Sequence, residues 1–424
     1  MTVCRMQRGR WILLLSVVAL HGFYSNLQFR ARGNIPWSQT GSVNLLLTEC
    51  AILRSNMLQR SLRSINTSDF LSYINDLQRC PWEYNVSEHI QIKSELAACC
   101  NTSHTLLVTQ QNAPLGHKLT YETSPKRHIV VNENIYQMLP KLIVEASQKQ
   151  QQDEVNDCRR NSQLIESEKK NVQKQILCTI ITPHANFNKD PTSLELFSDC
   201  VRVPPQISPF IGKQFETCAV VGNGGILLNS SCGDEIDKMD YVFRFNLPPL
   251  LFRDTGEKSD LVSANPSILV KKFAKLSERR KPFIDLVKSY GSAMIILPAF
   301  SYVHNTELSL RVQHSLQDFD LQNSVVFFHP DYLTKLSTYW ETMGLSAKRM
   351  SSGLMLVSVA MEVCKKVTLY GFWPFAQDPE GNLIPHHYYD DICPKPGFHS
   401  MPEEFYFYTK MHLKGALHLK VGKC

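Results

Sequence analysis

The side chains best suited to move a proton or hold a charge fall in five short segments of the second half of the chain. His399 and Ser400 are followed by Met401, Pro402, Glu403 and Glu404. Ser400 to Glu403 has the spacing of a capping box, with Pro402 early in the helix it would open. An imidazole just outside a helix N-terminus meets the positive end of the helix dipole, which favours its neutral form. Neutral imidazole accepts a proton, so His399 is a candidate general base; a surface histidine beside a cap is the plainer alternative. His386, His387, Tyr388, Tyr389 and Asp390 form the next segment. Two histidines beside an acid can suggest a metal, but Asp390 is too close to the pair for the usual ligand spacings. A general acid or a donor to phosphate fits as well, and a structural histidine is the bland reading.

Ser351, Ser352 and Gly353 stand directly before an apolar helix expected over 354–363. Hydroxyls, N–H groups and a positive dipole end converge there and suit a phosphate, although N-capping accounts for a serine equally well. Cys218 leads a short apolar strand, 219–221, that ends in Gly222, Asn223, Gly224 and Gly225. Glycines at such a place let the backbone approach a ligand. The string lacks the G-x-G-x-x-G spacing of a dinucleotide site, and a tight turn in the core is the rival reading. Arg244, Phe245 and Asn246 end another strand before Pro248 and Pro249. Asn246 can offer an amide to a nucleotide or satisfy the turn. No C-x-x-C pair, H-E-x-x-H or Walker A string is present.

These segments need a scaffold. Residues 241–243, 294–297, 325–328 and 367–370 read as further buried strands, separated by helical stretches. That alternation predicts an α/β fold with a mostly parallel sheet flanked by helices, and ligands beyond the carboxyl ends of its strands. A chain of 424 residues, 43% hydrophobic and 20% charged, holds one large domain with accessory segments. Its net charge of +6 suits anionic substrates or a membrane surface and is too small to argue for nucleic acid.

Arg5, Arg8 and Arg10 precede an apolar run over 11–20 that Phe23, Tyr24, Leu27 and Phe29 extend. We read a cytosolic tail at 1–10 and a signal-anchor span at 11–29, with the rest of the chain lumenal. The apolar core is shorter than the roughly 20 residues of a usual span, so a cleaved signal peptide is the rival reading. The 13 cysteines, all but Cys4 beyond that run, suit an oxidising compartment. Sequons at Asn66, Asn85, Asn101 and Asn229 suit glycosylation. A stem is expected over 30–95, with a helix near 43–60, and the main domain over 96–424. Cys80, Cys99 and Cys100 are expected to staple the junction of the two. Residues 106–139 read as strands and turns, including 128–131. The run 147–176 is too polar to bury a core, and 141–203 reads as an insertion the fold does not need.

In this order the five segments resemble the animal sialyltransferase family. Residues 218–249 resemble its large motif, 351–375 its small motif, 386–390 its third motif, and 399–404 its His-x4-Glu motif. The likeness runs through nearly all of 205–424 and more weakly over 80–140, and the wording is closest to the α2,8-sialyltransferases of the mono- or oligo-sialylating type. The resemblance implies a GT-A-like variant of the Rossmann-type domain in a single-pass type II Golgi membrane protein. It implies transfer of sialic acid from CMP-sialic acid to the 8-hydroxyl of a terminal sialic acid on a glycolipid or glycoprotein. The reaction would invert the donor, pass through an oxocarbenium-like state, and need no metal or other cofactor. Asn223 and Asn246 would bind the CMP phosphate and cytidine region. Ser351, Ser352 and Gly353 would hold the phosphate or the sialic acid carboxylate, and Trp373 would line the nucleotide pocket. His387 would donate to the departing phosphate, and His399 would take the acceptor proton. Cys218 would pair with Cys364, and Cys232 with Cys424.

Three features depart from the pattern. Phe245 stands where α2,8 relatives usually have Cys, which puts the packing near Asn246 in question. The segment 141–203 has no counterpart. Residues 319–350 set Lys335, Lys348 and Arg349 against Asp320, Asp331 and Glu341, too neutral a stretch to hold a long polyanion, so short products are expected. The main alternative is a catalytically impaired lumenal relative that binds nucleotide or glycan as a scaffold. A nucleotide-dependent oxidoreductase would need a dinucleotide fingerprint, which is absent. A homodimer is compatible with the reading.

Overall fold

The computed structural model describes residues 39–59, 67–109, 117–121, 124–130, 207–277, 280–390 and 399–424, with 112, 114 and 205. The tail and anchor at 1–29, Asn66, the segment 141–203 with its Cys158, Cys178 and Cys200, and Cys393 lie outside the described residues. Among the described residues, no helix is long and apolar enough to cross a membrane.

Strands β1 (Lys118–Tyr121) and β2 (Ser124–Val130) form a small antiparallel pair. The main sheet comprises β3 (Phe215–Val221), β4 (Tyr241–Arg244), β5 (Leu261–Ser263), β6 (Met294–Leu297), β7 (Val325–Phe327), β8 (Cys364–Tyr370) and β9 (His418–Lys420). It is seven-stranded, in the order β7-β6-β5-β4-β3-β8-β9, and every pairing is parallel. Parallel strands need crossovers, and helices such as Arg280–Lys288, Val303–Asp318 and Pro330–Thr342 supply them.

Side chains alternate across the sheet, so successive residues enter different cores. Cys218, Val220, Phe243, Leu261 and Ile296 join the largest core, with the helices Ser352–Val363 and Met401–Leu413. Val262, Ile295 and Leu297 face a second core with Phe283, Ile284 and Val312. Ala219, Val221, Val242 and Tyr370 face a third, smaller one. This two-sided burial explains why the strands read as unbroken apolar runs.

The chain leaves β3 for β4 on one side, and β8 lies against the other side of β3. The carboxyl ends of β3 and β8 therefore flank the point where strand order reverses, which is where open parallel sheets bind ligands.

The stretch read as a stem is partly core. Met57, Phe70, Ile74 and Leu77 are buried in the largest cluster, and the Phe70 ring stands edge-on to Phe405 at 5.7 Å. The main domain thus reaches back at least to Met57. The cysteines expected to staple that junction do something else. Cys80 pairs with Cys50, tying the helix Gln39–Gln59 to the turn after Thr67–Leu77, while Cys99 pairs with its neighbour Cys100.

Candidate active site

Asn223 follows β3 at the switch point. Its Nδ2 donates to the Phe245 carbonyl at 3.0 Å, and its buried Oδ1 has no partner among the described residues. The glycines around it serve packing. A Cβ on Gly222 or Gly224 would lie 2.6 or 2.7 Å from the Gly371 carbonyl oxygen, and one on Gly225 2.0 Å from the Pro385 oxygen. Gly222 N–H donates to Tyr370 O, Gly224 N–H to Gly371 O, and Gly225 N–H to His386 O. The open choice between ligand approach and tight turn thus falls, for these three, on the tight turn.

That seam brings the third motif to the sheet. His387 lies in a bridge with Gly224, and Tyr388 N–H donates to the Asn223 carbonyl at 3.0 Å. His387 Nδ1 is 2.9 Å from Asp390 Oδ1, and its ring stacks on Tyr389. A carboxylate accepts, so Nδ1 carries a proton and Nε2 is the nitrogen left for chemistry. Burial, and then His387 beside it, holds His386 below the ordinary histidine range, so that ring stays neutral near pH 7.

At the end of β4, Arg244 is fully buried and donates to the Thr255 and Lys258 carbonyls and to Ser259 Oγ. Asn246 sits in the left-handed region at φ 63°. Its N–H donates to Ser263 Oγ, and its Oδ1 accepts from the Asn265 N–H at 3.3 Å. The turn-satisfying reading of Asn246 therefore holds for one limb of its amide. Phe245 is buried edge-on against Phe372 at 5.5 Å, and Phe372 against Tyr408 at 5.0 Å, so the larger residue is absorbed by an aromatic row.

Ser351 caps the helix Ser352–Val363 by accepting the Leu354 N–H at 3.1 Å. Its own N–H donates to Glu404 Oε1 at 2.8 Å, and its hydroxyl donates to Glu404 Oε2. Glu404 is fully buried, and burial pushes its carboxyl up from the usual range. The expected capping box does not form. Ser400 makes no side-chain cap bond, and Glu403 accepts instead from Ser346 N–H and Oγ–H. Glu403 thus clamps the segment before the small motif, and Glu404 the first residue of that motif. The sequence reading held Glu404 only as the end of the His-x4-Glu motif and not as the partner of Ser351, which lies 53 residues away. Glu404→Ala should lower stability by about 3 kcal/mol, since it strands a buried N–H and hydroxyl and leaves a void. Glu404→Gln keeps an acceptor for Ser351 N–H and should cost about 1 kcal/mol. Thermal unfolding of the two variants checks this ordering.

The clamp holds His399 against the small motif. Its Nδ1 lies 3.0 Å from the Arg349 carbonyl, and the residue is exposed. A carbonyl only accepts, so Nδ1 bears a hydrogen and Nε2 is the nitrogen left for chemistry. The helix N-terminus at Ser351–Gly353 and the imidazole are therefore neighbours through residues 349–351.

Trp373 is placed otherwise than expected of a pocket-lining side chain. It is buried, its Nε1 donates to the Gln377 carbonyl, and its ring packs among Phe375 and Phe405. What it brings to the site is backbone beside Gly224. Two further disulfides among the described residues are Cys218–Cys364, joining β3 to β8, and Cys232–Cys424. Asn85, Asn101 and Asn229 are exposed, as an oligosaccharide acceptor must be. A cavity of about 690 Å³ lined by Arg54, Trp82, Tyr84, His412 and Lys414 lies near the amino ends of β8 and β9, where Tyr84 donates to the Lys365 carbonyl. It lies at the amino ends of these strands, whereas His387 lies beyond the carboxyl end of β3.

An α/β domain with an amide, a serine-capped helix start and two histidines at its switch point has the parts of a nucleotide-sugar site. The sequence matches the model of glycosyltransferase family 29 (sialyltransferase) over residues 164–416, a match that begins inside the segment 141–203. It is 37% identical over 381 residues to human alpha-2,8-sialyltransferase 8E, covering 89% of this chain and 84% of that one. It is 37% identical over 372 residues to Mus musculus alpha-2,8-sialyltransferase 8F, covering 87% and 77%. Among solved structures, a mammalian sialyltransferase in complex with Gal-beta-1-3GalNAc-ortho-nitrophenol aligns at 18% identity with a TM-score of 0.42, over 78% of this chain and 96% of that chain. The chain belongs to glycosyltransferase family 29, the sialyltransferases.

Proposed function

We propose that this chain is an α2,8-sialyltransferase, moving sialic acid from CMP-sialic acid to the 8-hydroxyl of a terminal sialic acid on a glycolipid or glycoprotein. The names of its relatives support the linkage. The observation that carries the chemistry is the junction at residues 349–351. There one stretch of backbone fixes the His399 tautomer and opens the Ser351-capped helix.

In this reading the phosphate of CMP sits against the helix start at Ser352 and Gly353, where N–H groups and the dipole favour an anion. Asn223 and Asn246 contribute amides to the same nucleotide. His399 Nε2 removes the proton of the acceptor hydroxyl as its oxygen attacks the anomeric carbon. The bond to the CMP phosphate breaks on the opposite face, so the configuration inverts. His387, as imidazolium, gives its Nε2 proton to the departing phosphate oxygen, with Asp390 holding the ring. No metal enters any step. We place the protein in the Golgi membrane with a GT-A-like domain on the lumenal side.

The test is transfer by the purified chain from CMP-sialic acid to acceptors with and without a terminal sialic acid, followed by linkage analysis. We expect products extended by one or a few 8-linked residues, and turnover at least tenfold lower when the acceptor lacks sialic acid. Tight CMP binding without turnover on any acceptor would overturn the reading and leave the scaffold alternative.

A further inference from the structure

Asn265 lies just past the carboxyl end of β5, in none of the segments that carry a motif. It is the N-cap of the helix Pro266–Lys271, yet its side chain makes no capping bond. An Asn at that position ordinarily accepts from an N–H of its own first turn. Here the amide reaches away from its helix, and Nδ2 lies 3.5 Å from Ser352 Oγ, 87 residues on. Its backbone N–H, meanwhile, meets Asn246 Oδ1 at 3.3 Å. One residue therefore touches two groups that the proposed function assigns to the donor.

Both contacts set a direction. An N–H needs an acceptor, so the Asn246 amide must turn its Oδ1 toward Asn265, leaving Nδ2 as the limb for another partner. A side-chain NH₂ likewise needs an acceptor, so it takes a lone pair of Ser352 Oγ and leaves that hydroxyl its hydrogen to give elsewhere. An anion such as a phosphate accepts only, and it requires donors around it. Asn265 thus presents Asn246 and Ser352 as donors.

We propose that Asn265 is a positioning residue for the nucleotide phosphate, acting through Ser352 Oγ and Asn246 Nδ2 rather than by touching the donor itself. This rests on the donor-site reading above. Its backbone contact to Asn246 survives any substitution but proline, so side-chain variants isolate the Ser352 limb.

The experiment is a double-mutant cycle on the full chain, with CMP affinity read by calorimetry and donor KM and kcat by transfer assay. Asn265→Ala and Ser352→Ala should each weaken CMP binding about three- to tenfold, the worth of one hydrogen bond. The double variant should be no weaker than Ser352→Ala. Donor KM should rise with the binding constant, while acceptor KM stays within about twofold, a split that general loosening of the fold would not produce. Asn265→Asp keeps the shape and a good N-cap residue. Its carboxylate only accepts, so it draws the Ser352 hydrogen to itself and should weaken CMP more than Ala does. Additive losses in the cycle, or Asn265→Asp binding CMP as wild type does, would overturn the proposal. Loss of CMP binding is read directly, so this outcome is separate from a failure of α2,8 transfer.

Discussion

Replacing His399 with alanine is expected to lower kcat by about 10²–10⁴-fold while CMP binds almost as before, because a positioned general base contributes that much to a proton transfer. At about 1.36 kcal/mol per tenfold, this is a loss of roughly 3–5 kcal/mol from the transition state alone. The imidazole is exposed, and its one described hydrogen bond is to the Arg349 carbonyl, so its removal leaves little unsatisfied. The groups assigned to the nucleotide hang from other elements: Asn223 just past β3, Asn246 just past β4, Ser352 at the start of its own helix. Ground-state binding of CMP should therefore survive. Added imidazole should restore part of the lost rate in the alanine variant, since the space it vacates opens to solvent. Single-turnover rates with saturating donor make the comparison clean. Turnover within about tenfold of wild type would place the base elsewhere.

Much of the site was legible because its signals are local. A run of apolar residues ending in glycine marks β3, and Ser351 before a long apolar helix marks a cap; both depend on a handful of adjacent residues. The structure puts these pieces at one switch point because every main-sheet strand runs the same way. What could not be read is contact at long separation. The Gly222–Gly225 string had two meanings, and only the Gly371 and Pro385 backbones, some 150 residues on, decide between them. Glu404 looks like any acid in a first turn until Ser351 is set against it. Trp373 carries no mark of its aromatic neighbours Phe375 and Phe405, so its burial was hidden. Strands β5 and β9 have three residues each and, unlike the equally short β7 with its apolar run over 325–328, too few adjacent apolar residues to mark them. The stretch around Phe70 read as a stem because nothing near it in sequence says that Phe405 will complete its core.

Opening the bridge between Cys232 and Cys424 should cost about 4–5 kcal/mol, a large part of the 5–15 kcal/mol that holds a typical domain together. The bond closes a loop of 192 residues, and loop-closure entropy grows with that length. Cys232 is buried beside a turn in which Asn229 and Ser231 both have positive φ, at 60° and 56°. Asp254 holds that turn through the N–H groups of both residues, and Cys424 N–H reaches the Ser230 carbonyl at 2.9 Å. Without the bridge those few hydrogen bonds must hold the carboxyl terminus beside β3 and β4 alone. Cys232→Ser and Cys424→Ser should each lower the unfolding temperature by several degrees and leave the full-length chain retained early in the secretory path. The double variant should be no worse than either single one, because both lose the same bond and the double also removes the orphan thiol. Glycan processing on the expressed chain reports how far it travels, and thermal unfolding reports the stability. Normal passage and melting of either single variant would mean that packing around Asp254 suffices to hold the terminus in place.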